Sequence, residues 1–223
     1  MGSRIIHTFQ KVSKETDREM RRTKEAAART RAEIVAAALD CFDRHGMAGS
    51  TLDQIADSAH VTKGAIYHHF SGKRALVRAI RDQVSLPLVD EADTALLHAS
   101  ERPALKRIER YMVRLLEGLE KNVQLRRALS VMQFKCEYVA DLADDLAGAV
   151  RSTYRLTHAF EAAYREARRE GTLAQAIAPR AAAVESVMFL SGLVRIWLLD
   201  SRRAGFRREA RAAIRAHVRL RYA

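Results

Sequence analysis

Apolar residues recur at helical spacing along most of this chain, and that periodicity is the strongest constraint on its fold. Between residues 30 and 45, apolar side chains return every three or four positions, as on the buried face of an amphipathic helix. They are Ile34, Val35, Ala38, Leu39 and Phe42. The sequence has no strand-like alternation of apolar and polar residues, and only three prolines and ten glycines interrupt its 223 residues. It therefore predicts an all-α protein.

An N-terminal head of three helices is predicted over residues 30–85, together with a fourth helix that links it to the rest of the chain. Gly46 ends the first helix, because glycine is favoured just beyond a helix C-terminus. Thr51 has the side chain of an N-cap and begins the second helix. A turn at residues 59–61 leads into a third short helix, from Thr62 to His69.

The linking helix begins after Ser71, which can cap it. It is expected to end near Ser85, because the residue before a proline, here Pro87, avoids helical backbone geometry. A larger helical body is predicted over residues 86–223, in which long amphipathic segments follow one another. These segments are 87–99, 103–121, 124–142, 145–170, 180–201 and 206–220.

The first 29 residues are polar and mixed in charge, and they lose apolar periodicity after Phe9. They are predicted to form a disordered extension. A basic arm that contacts DNA is the alternative, because short basic arms reach the minor groove in some folds. The chain has a net charge of +12, of which residues 1–30 carry +4 and residues 201–223 carry +7. Net charge therefore does not by itself locate a DNA site.

The segment from Thr51 to Lys73, TLDQIADSAHVTKGAIYHHFSGK, has the spacing of a helix-turn-helix. Its apolar residues form a small core, so the opposite face of the third helix is free to enter the major groove. Lys63 is expected to donate to a guanine, and Gly64 allows the backbone to approach DNA closely. The other side chains are expected to contact phosphates or to line the surface that faces DNA. The residues predicted to contact DNA are Thr51, Thr62, Lys63, Gly64, Tyr67, His68, His69 and Lys73.

This segment resembles the signature of the TetR family of transcriptional repressors. The matching positions are Thr51, Ile55, Ala56, Ala59, Val61, Thr62, Gly64, Tyr67, His69, Phe70 and Lys73. His60 departs from the family pattern, which has glycine in the turn, so either His60 adopts a left-handed backbone conformation at some cost or the turn differs slightly. In the body, FKCEYV (134–139) and SGLVRIWL (191–198) resemble segments of AcrR-type multidrug-efflux repressors.

The resemblance implies a homodimer that binds a palindromic DNA operator and releases it when a small-molecule inducer enters the body. Apolar helix faces could line a ligand pocket or could be ordinary core. The candidate ligand-binding residues are Met112, Leu116, Phe134, Cys136, Glu137, Phe160, Tyr164 and Met188. An apolar stripe near the C-terminus could be monomer core, but the resemblance implies a four-helix dimer interface there. The candidate interface residues are Val187, Leu190, Val194, Trp197 and Leu198.

Several other classes of protein are not expected. The two cysteines, Cys41 and Cys136, are too few for a disulfide scaffold or a cysteine-rich zinc site. The three nearby histidines at 60, 68 and 69 have no carboxylate or thiol spaced to complete a metal site. No cofactor is expected. The sequence contains no glycine-rich phosphate loop and no G-x-S-x-G motif, which argues against an enzyme.

A cytoplasmic location is predicted. The N-terminal residues are charged and lack the apolar region of a signal peptide. The longest apolar stretch, Val187 to Leu199, is interrupted by Arg195 and is shorter than a bilayer span. It is therefore interpreted as a buried helix rather than a membrane anchor.

The leading functional hypothesis is a repressor of a multidrug efflux operon that responds to hydrophobic or cationic compounds. A repressor of a metabolic or catabolic operon with a different inducer is the alternative, and the two would differ in pocket chemistry. An enzyme or adaptor that retains the same fold is a more remote alternative. Binding to an operator would distinguish the last hypothesis from the first two.

Overall fold

The computed structural model describes residues 2–98, 102–136, 143–200 and 205–223. These residues form helices joined by short turns, and the part of the chain so described contains no strand. An isolated β-bridge pairs Leu173 with Tyr222. The predicted all-α class is therefore confirmed.

The chain divides into two compact units, Met1–Val77 and Arg78–Ala223. The division falls inside a continuous helix, ahead of the predicted boundary after residue 85. The N-terminal unit contains α1 (Gly2–Gly49), α2 (Leu52–Ser58), α3 (Lys63–His69) and the first turn of α4 (Lys73–Asp93). Its core includes the buried side chains Ile34, Val35, Ala38, Phe42, Ile55, Ala56, Ile66, Phe70, Leu76 and Val77.

Helix α1 begins much earlier than expected. The sequence predicts a disordered extension over residues 1–29, but the structure continues α1 back to Gly2. That segment contains no proline, and alanine, lysine, arginine and glutamate, which all favour helix, make up much of it. Apolar periodicity was therefore the wrong criterion for these residues. Gly46, with φ of 71°, breaks helical geometry at the predicted stop, and α1 ends at Gly49.

The second unit contains the remainder of α4, a π-helix at Thr94–His98, α5 (Ala104–Lys121) and α6 (Val123–Ser130). A second π-helix, Val131–Lys135, follows α6. Three further helices complete the described part of the body: α7 (Ala143–Arg169), α8 (Pro179–Leu199) and α9 (Phe206–Arg219). The helix predicted over 124–142 is therefore interrupted, because Cys136 has extended backbone, with φ of −106° and ψ of 121°.

Pro87 does not end α4, contrary to the sequence prediction. The helix passes through this exposed proline and reaches Asp93, so the separate helix predicted over 87–99 does not exist. A proline inside a helix removes one backbone hydrogen bond and costs about 3 kcal/mol. Downstream, Ala92 and Leu96 are buried in the core of the body. The burial of Ala92 and Leu96 offsets the cost of the proline. This burial could not be inferred from the local sequence.

The core of the body is formed mainly by α5, α7, α8 and α9. Tyr111 of α5 and Phe160 of α7 are both buried, and their rings meet edge to face with centroids 5.7 Å apart. A buried ion pair also joins these helices, since the Arg107 guanidinium donates two hydrogen bonds to the Glu166 carboxylate. The arginine holds the pKa of Glu166 below its usual value.

Among the described residues, α8 is the one helix that is long and apolar enough to cross a membrane. By length and composition alone, Pro179–Leu199 could cross a bilayer, so the sequence argument that it is too short was wrong. Half of that segment is nevertheless buried inside the body, where Leu190, Leu193 and Trp197 belong to the core. A core helix has this pattern of burial.

Candidate nucleic-acid interface and ligand site

A capping box positions the start of α2. The Thr51 hydroxyl accepts a hydrogen bond from the Gln54 backbone N–H at 3.2 Å, and the Thr51 N–H donates to Gln54 Oε1 at 2.9 Å. This reciprocal pair satisfies two of the backbone donors that a helix N-terminus leaves free. Thr51 therefore has a structural function, and its hydroxyl proton is still able to donate to a phosphate.

The turn between α2 and α3 is tight and left-handed at its centre. Ala59 N–H donates to Ile55 O at 2.9 Å, and Val61 N–H donates to Ala56 O at 3.0 Å. Between them His60 has φ of 54°, so the left-handed conformation is the one of the two predicted alternatives that the structure shows. Such a conformation is unfavourable for a residue with a Cβ atom. The surrounding hydrogen bonds hold it in place.

Helix α3 presents one face to solvent. Thr62 caps it by accepting a hydrogen bond from Ala65 N–H at 3.1 Å, while Ile66 and Phe70 are buried beneath it. The residues on its outer face are Lys63, Gly64, Tyr67 and His68, and Tyr67 is 55% exposed. The prediction that these residues face outward is confirmed. Their contacts with DNA remain a prediction.

Lys63 has a partner on α2 that the sequence analysis missed. Its ammonium lies 2.9 Å from a carboxylate oxygen of Asp53, and both side chains are well exposed. The hydrogen bond to Asp53 raises the pKa of Lys63, so the side chain is firmly cationic. A contact with DNA would require Lys63 to exchange this carboxylate for a base or a phosphate.

Lys73 and His69 are less available than predicted. The Lys73 ammonium donates to Met47 O at 2.9 Å and to Ser50 O at 2.7 Å. It therefore anchors the end of α1, and only its third proton could reach a phosphate. His69 is half-buried, with its ring centroid 5.1 Å from that of His68.

Four predicted ligand-binding residues lie together in the core of the body. Met112, Leu116, Phe160 and Tyr164 are all buried there. Phe134, in the second π-helix, is half-buried against this core, and the Arg195 guanidinium lies 4.8 Å from its ring centroid. The structure therefore groups the α5, α7 and π-helix candidates within one apolar region.

Cys136 and Glu137 follow the second π-helix. Burial raises the pKa of the Cys136 thiol to about 11, so the thiol is protonated at neutral pH and is a poor nucleophile. Glu137 lies outside the described residues. Among those residues, no group of three His, Cys, Asp or Glu side chains is arranged to hold a metal ion.

Met188 is not part of the core. Its side chain is 70% exposed on α8, which corrects its assignment to a ligand pocket. The sequence showed only that Met188 belongs to an apolar helix. It could not show which side of that helix is buried, because both sides carry apolar residues.

The predicted dimer interface is also corrected. Its members are all buried within one chain and offer almost no surface to a partner: Val187, Leu190, Val194, Trp197 and Leu198. The opposite side of α8 carries Val184, Met188, Ile196 and Leu199, which are 37–70% exposed. We refer to these four side chains as the α8 outer face.

A chain of hydrogen bonds connects the last three helices. The Tyr164 hydroxyl of α7 lies 2.7 Å from Ser186 Oγ of α8, which lies 3.0 Å from His217 Nε2 of α9. The His217 ring stacks on Phe189 with centroids 4.0 Å apart. Burial, with a smaller contribution from the nearby Arg221, lowers the pKa of His217 to about 4. The imidazole is therefore neutral at physiological pH.

Two family models match this chain. One, described as bacterial regulatory proteins of the tetR family, matches residues 34–80. The other, described as the C-terminal region of MAATS-type transcriptional repressors, matches residues 103–222. Together they span the helix-turn-helix and most of the body.

Individual proteins show the same likeness. The HTH-type transcriptional regulator TtgR of Pseudomonas putida is 33% identical over 184 residues, which cover 81% of this chain and 85% of TtgR. The HTH-type transcriptional repressor BepR of Brucella suis is 30% identical over 179 residues, covering 80% and 85% of the two chains.

The fold matches solved structures along most of its length. NalD, the secondary repressor of the MexAB-OprM multidrug efflux pump in Pseudomonas aeruginosa, superposes with a TM-score of 0.77 at 24% identity, covering 89% of this chain and 98% of NalD. The SmeT–triclosan complex superposes with a TM-score of 0.75 at 24% identity, covering 87% and 92%. At this identity the likeness concerns the fold alone.

Proposed function

Because this chain belongs to the TetR family of bacterial regulatory proteins, we propose that it represses transcription by binding a palindromic operator as a homodimer. The observation that carries the proposal is the outer face of α3. Lys63, Gly64, Tyr67 and His68 are all exposed there, on a short helix braced by α2. This is the form in which a recognition helix enters the major groove.

The α8 outer face is the proposed dimer interface. Four exposed apolar side chains on one helix form an apolar patch, and such patches indicate interaction sites. In a symmetric dimer, the same face of a second copy covers this patch. Dimerisation would pair two copies of α3. Two recognition helices spaced by one turn of DNA read the two halves of a palindrome.

A multidrug efflux operon is the proposed target, and small hydrophobic or cationic compounds are the proposed inducers. NalD is described as the repressor of such a pump, and SmeT as a complex with triclosan. The body of this chain has the apolar residues that such ligands require, including Met112, Phe160 and Phe134. The protein would act in the cytoplasm, where its operator lies.

Release from DNA would follow from preferential binding of the inducer to a conformation that does not fit the operator. Helix α4 is continuous across the boundary between the two units, so a movement of the body could reach the head through it. Shifting the population from mostly bound to mostly free would require about 5 kcal/mol of differential affinity for the inducer.

The proposal is tested by measuring binding of the purified protein to its own promoter and to a scrambled duplex of equal length. Lys63→Ala and Tyr67→Ala should each weaken promoter binding by about 1–3 kcal/mol. Tyr154→Ala, which removes a similarly exposed aromatic side chain from α7, is the matched control and should leave affinity unchanged. Equal affinity of the wild type for both duplexes would refute the repressor function.

A second arm tests the inducer. Triclosan, added to the protein–promoter complex, should release the DNA in a concentration-dependent manner if the ligand range resembles that of SmeT. Promoter-specific binding that no hydrophobic or cationic drug disturbs would support the metabolic-operon alternative instead.

A further inference from the structure

Helix α1 carries concentrated positive charge in the turns that precede the core of the head. Residues 20–31, MRRTKEAAARTR, contain five arginine or lysine side chains and one glutamate, a net charge of +4. They are helical, and the described side chains from Arg22 to Arg29 are all exposed. The head core does not use this part of the helix, so its charged surface is free to meet a partner.

One side of this segment lies next to the end of the proposed recognition helix. Lys24, Ala27, Ala28 and Arg31 are spaced by three, four and seven residues, so they share one side of α1. The Arg31 guanidinium lies 4.9 Å from the ring centroid of Phe70, the C-cap residue of α3. We refer to these four α1 residues as the α1 basic face.

The α1 basic face has the charge and the small side chains that suit a DNA backbone. Lys24 is exposed and has no hydrogen bond or ion pair with any other residue that the structure describes. Ala27 and Ala28 leave room for a phosphodiester strand to approach the helix. A recognition helix in the major groove has a sugar-phosphate backbone on either side of it, so a basic surface beside α3 faces phosphates.

The helical form of this segment decides which part of DNA it can contact. An extended basic arm can enter the minor groove, which is about 6 Å wide. A helix with its side chains is about 10–12 Å across and does not fit there. The segment is therefore suited to contacts with phosphates along the outside of the duplex, rather than with base edges in the minor groove.

We propose that the α1 basic face binds the DNA backbone that flanks the base pairs facing α3. Lys24 donates to a phosphate, and Arg31, held against Phe70, positions this part of α1 beside the recognition helix. This inference rests on the proposed operator-binding function. It adds a contact that increases affinity for any duplex and carries no base preference.

The first test measures the salt dependence of binding by Lys24→Gln. A dimer of this variant loses two phosphate contacts, so the slope of log K against log salt should become shallower by about 2. Affinity at physiological salt should fall about 10-fold, equally for the promoter and for a scrambled duplex. Lys24→Arg keeps the charge and should retain both the slope and the affinity.

Arg29→Gln is the matched control. It removes the same charge from the same helix, but Arg29 is two residues from Arg31 and lies on the opposite side of α1. Its change in slope should be less than half of that of Lys24→Gln. Equal changes in the two variants, or an unchanged slope in Lys24→Gln, would overturn the assignment of the α1 basic face.

The second test locates the contact on the DNA. Neutral methylphosphonate linkages replace single phosphates, one position at a time, on either side of the protected base pairs. At one flanking position in each half-site the wild type should lose about 3-fold in affinity, and Lys24→Gln should lose nothing further there. A wild type that is insensitive at every flanking position would overturn the proposal.

Failure of this inference differs from failure of the proposed function. Promoter preference that persists while Lys24→Gln leaves the salt slope unchanged would reject the α1 basic face alone. Equal wild-type affinity for the promoter and the scrambled duplex would reject the repressor function itself. A shift of Lys24→Gln towards monomer in analytical ultracentrifugation would show that this face meets a second copy of the chain, which also overturns the proposal.

Discussion

At the scale of single residues, Lys63 and Asp53 illustrate how a neighbouring charge can tune a surface that is proposed to contact DNA. Their ion pair is exposed, so it contributes little to the stability of the fold. Its effect on DNA binding should be larger, because Asp53 places a negative charge beside the lysine that is proposed to read a base. In the free protein Lys63 is paired with Asp53, and binding of Lys63 to DNA would require this ion pair to break.

Asp53→Asn should therefore increase affinity for the operator by about 0.5–1 kcal/mol, since Lys63 is released and repulsion from phosphates is removed. Fluorescence anisotropy with a labelled promoter duplex at fixed salt concentration measures this change. Asp57→Asn removes the same charge from the same helix without touching the Lys63 pair. Equal gains from the two substitutions would show that Lys63 is not specifically involved.

His60 is a second residue whose local geometry has a measurable consequence. Its positive φ is unfavourable for every residue except glycine, and asparagine or aspartate to a lesser extent. His60→Gly should therefore stabilise the protein by about 1 kcal/mol, as seen in urea unfolding. His60→Ala keeps the Cβ atom and should give no such gain. If alanine stabilised as much as glycine, backbone strain would not be the cause.

At the scale of elements, α8 has two apolar sides with different environments. The side that contains Leu190 and Trp197 is buried in the core of the body, and the α8 outer face is exposed. Apolar residues on two sides of a helix are both buried only if each side has a partner. One partner is the rest of the body, and the proposed second partner is another copy of α8.

Met188→Glu should disrupt the dimer, because each of two facing copies would bury a carboxylate with no compensating partner. Analytical ultracentrifugation should show a shift towards monomer, and operator affinity should fall with it. Tyr154→Glu introduces the same charge at an equally exposed position of α7 and serves as the control. A Met188→Glu protein that remained dimeric would place the interface elsewhere.

At the scale of the whole body, hydrogen bonds between side chains connect the last three helices. Tyr164, Ser186 and His217 link α7, α8 and α9 in one chain of polar contacts through an otherwise apolar core. The imidazole in this link is neutral at physiological pH, because burial, and to a smaller extent the nearby Arg221, lowers the pKa of His217 to about 4. Protonation of His217 is therefore expected to weaken the packing of these three helices.

Stability should fall as the pH is lowered from about 6.5 to about 4. Over this range the unfolded chain binds a proton at His217, while the folded protein, in which the pKa of His217 is about 4, does not. Above pH 6.5 His217 is neutral in both states, so no stability is lost. By pH 4 the free energy of unfolding should have fallen by about 1–2 kcal/mol, after allowance for solvent near the partly exposed ring.

Urea unfolding at a series of pH values checks this expectation. His217→Gln keeps a polar partner for Ser186 but does not titrate, so its stability should depend less steeply on pH over that range. Parallel curves for the wild type and the variant would show that His217 does not control the acid sensitivity of the body.

The helix-turn-helix could be inferred almost entirely from its residues, since its contacts are local. The Thr51 and Thr62 caps, the turn at His60 and the outward face of α3 all depend on neighbours within ten positions in the chain. The Asp53–Lys63 pair could have been found from the same spacing. Residues 2–29 show the limit of this approach, because helix propensity rather than apolar periodicity governs them.

Residue pattern alone was enough to predict the helical class, the helix-turn-helix, the exposed face of α3 and the apolar character of the body. The folded chain was needed to show which side of α8 is core and why α4 continues past Pro87. The physical reason is the distance along the chain between the residues that contact each other. Caps and turns are satisfied by neighbours along the chain, whereas burial depends on residues that are distant in sequence and close only after folding.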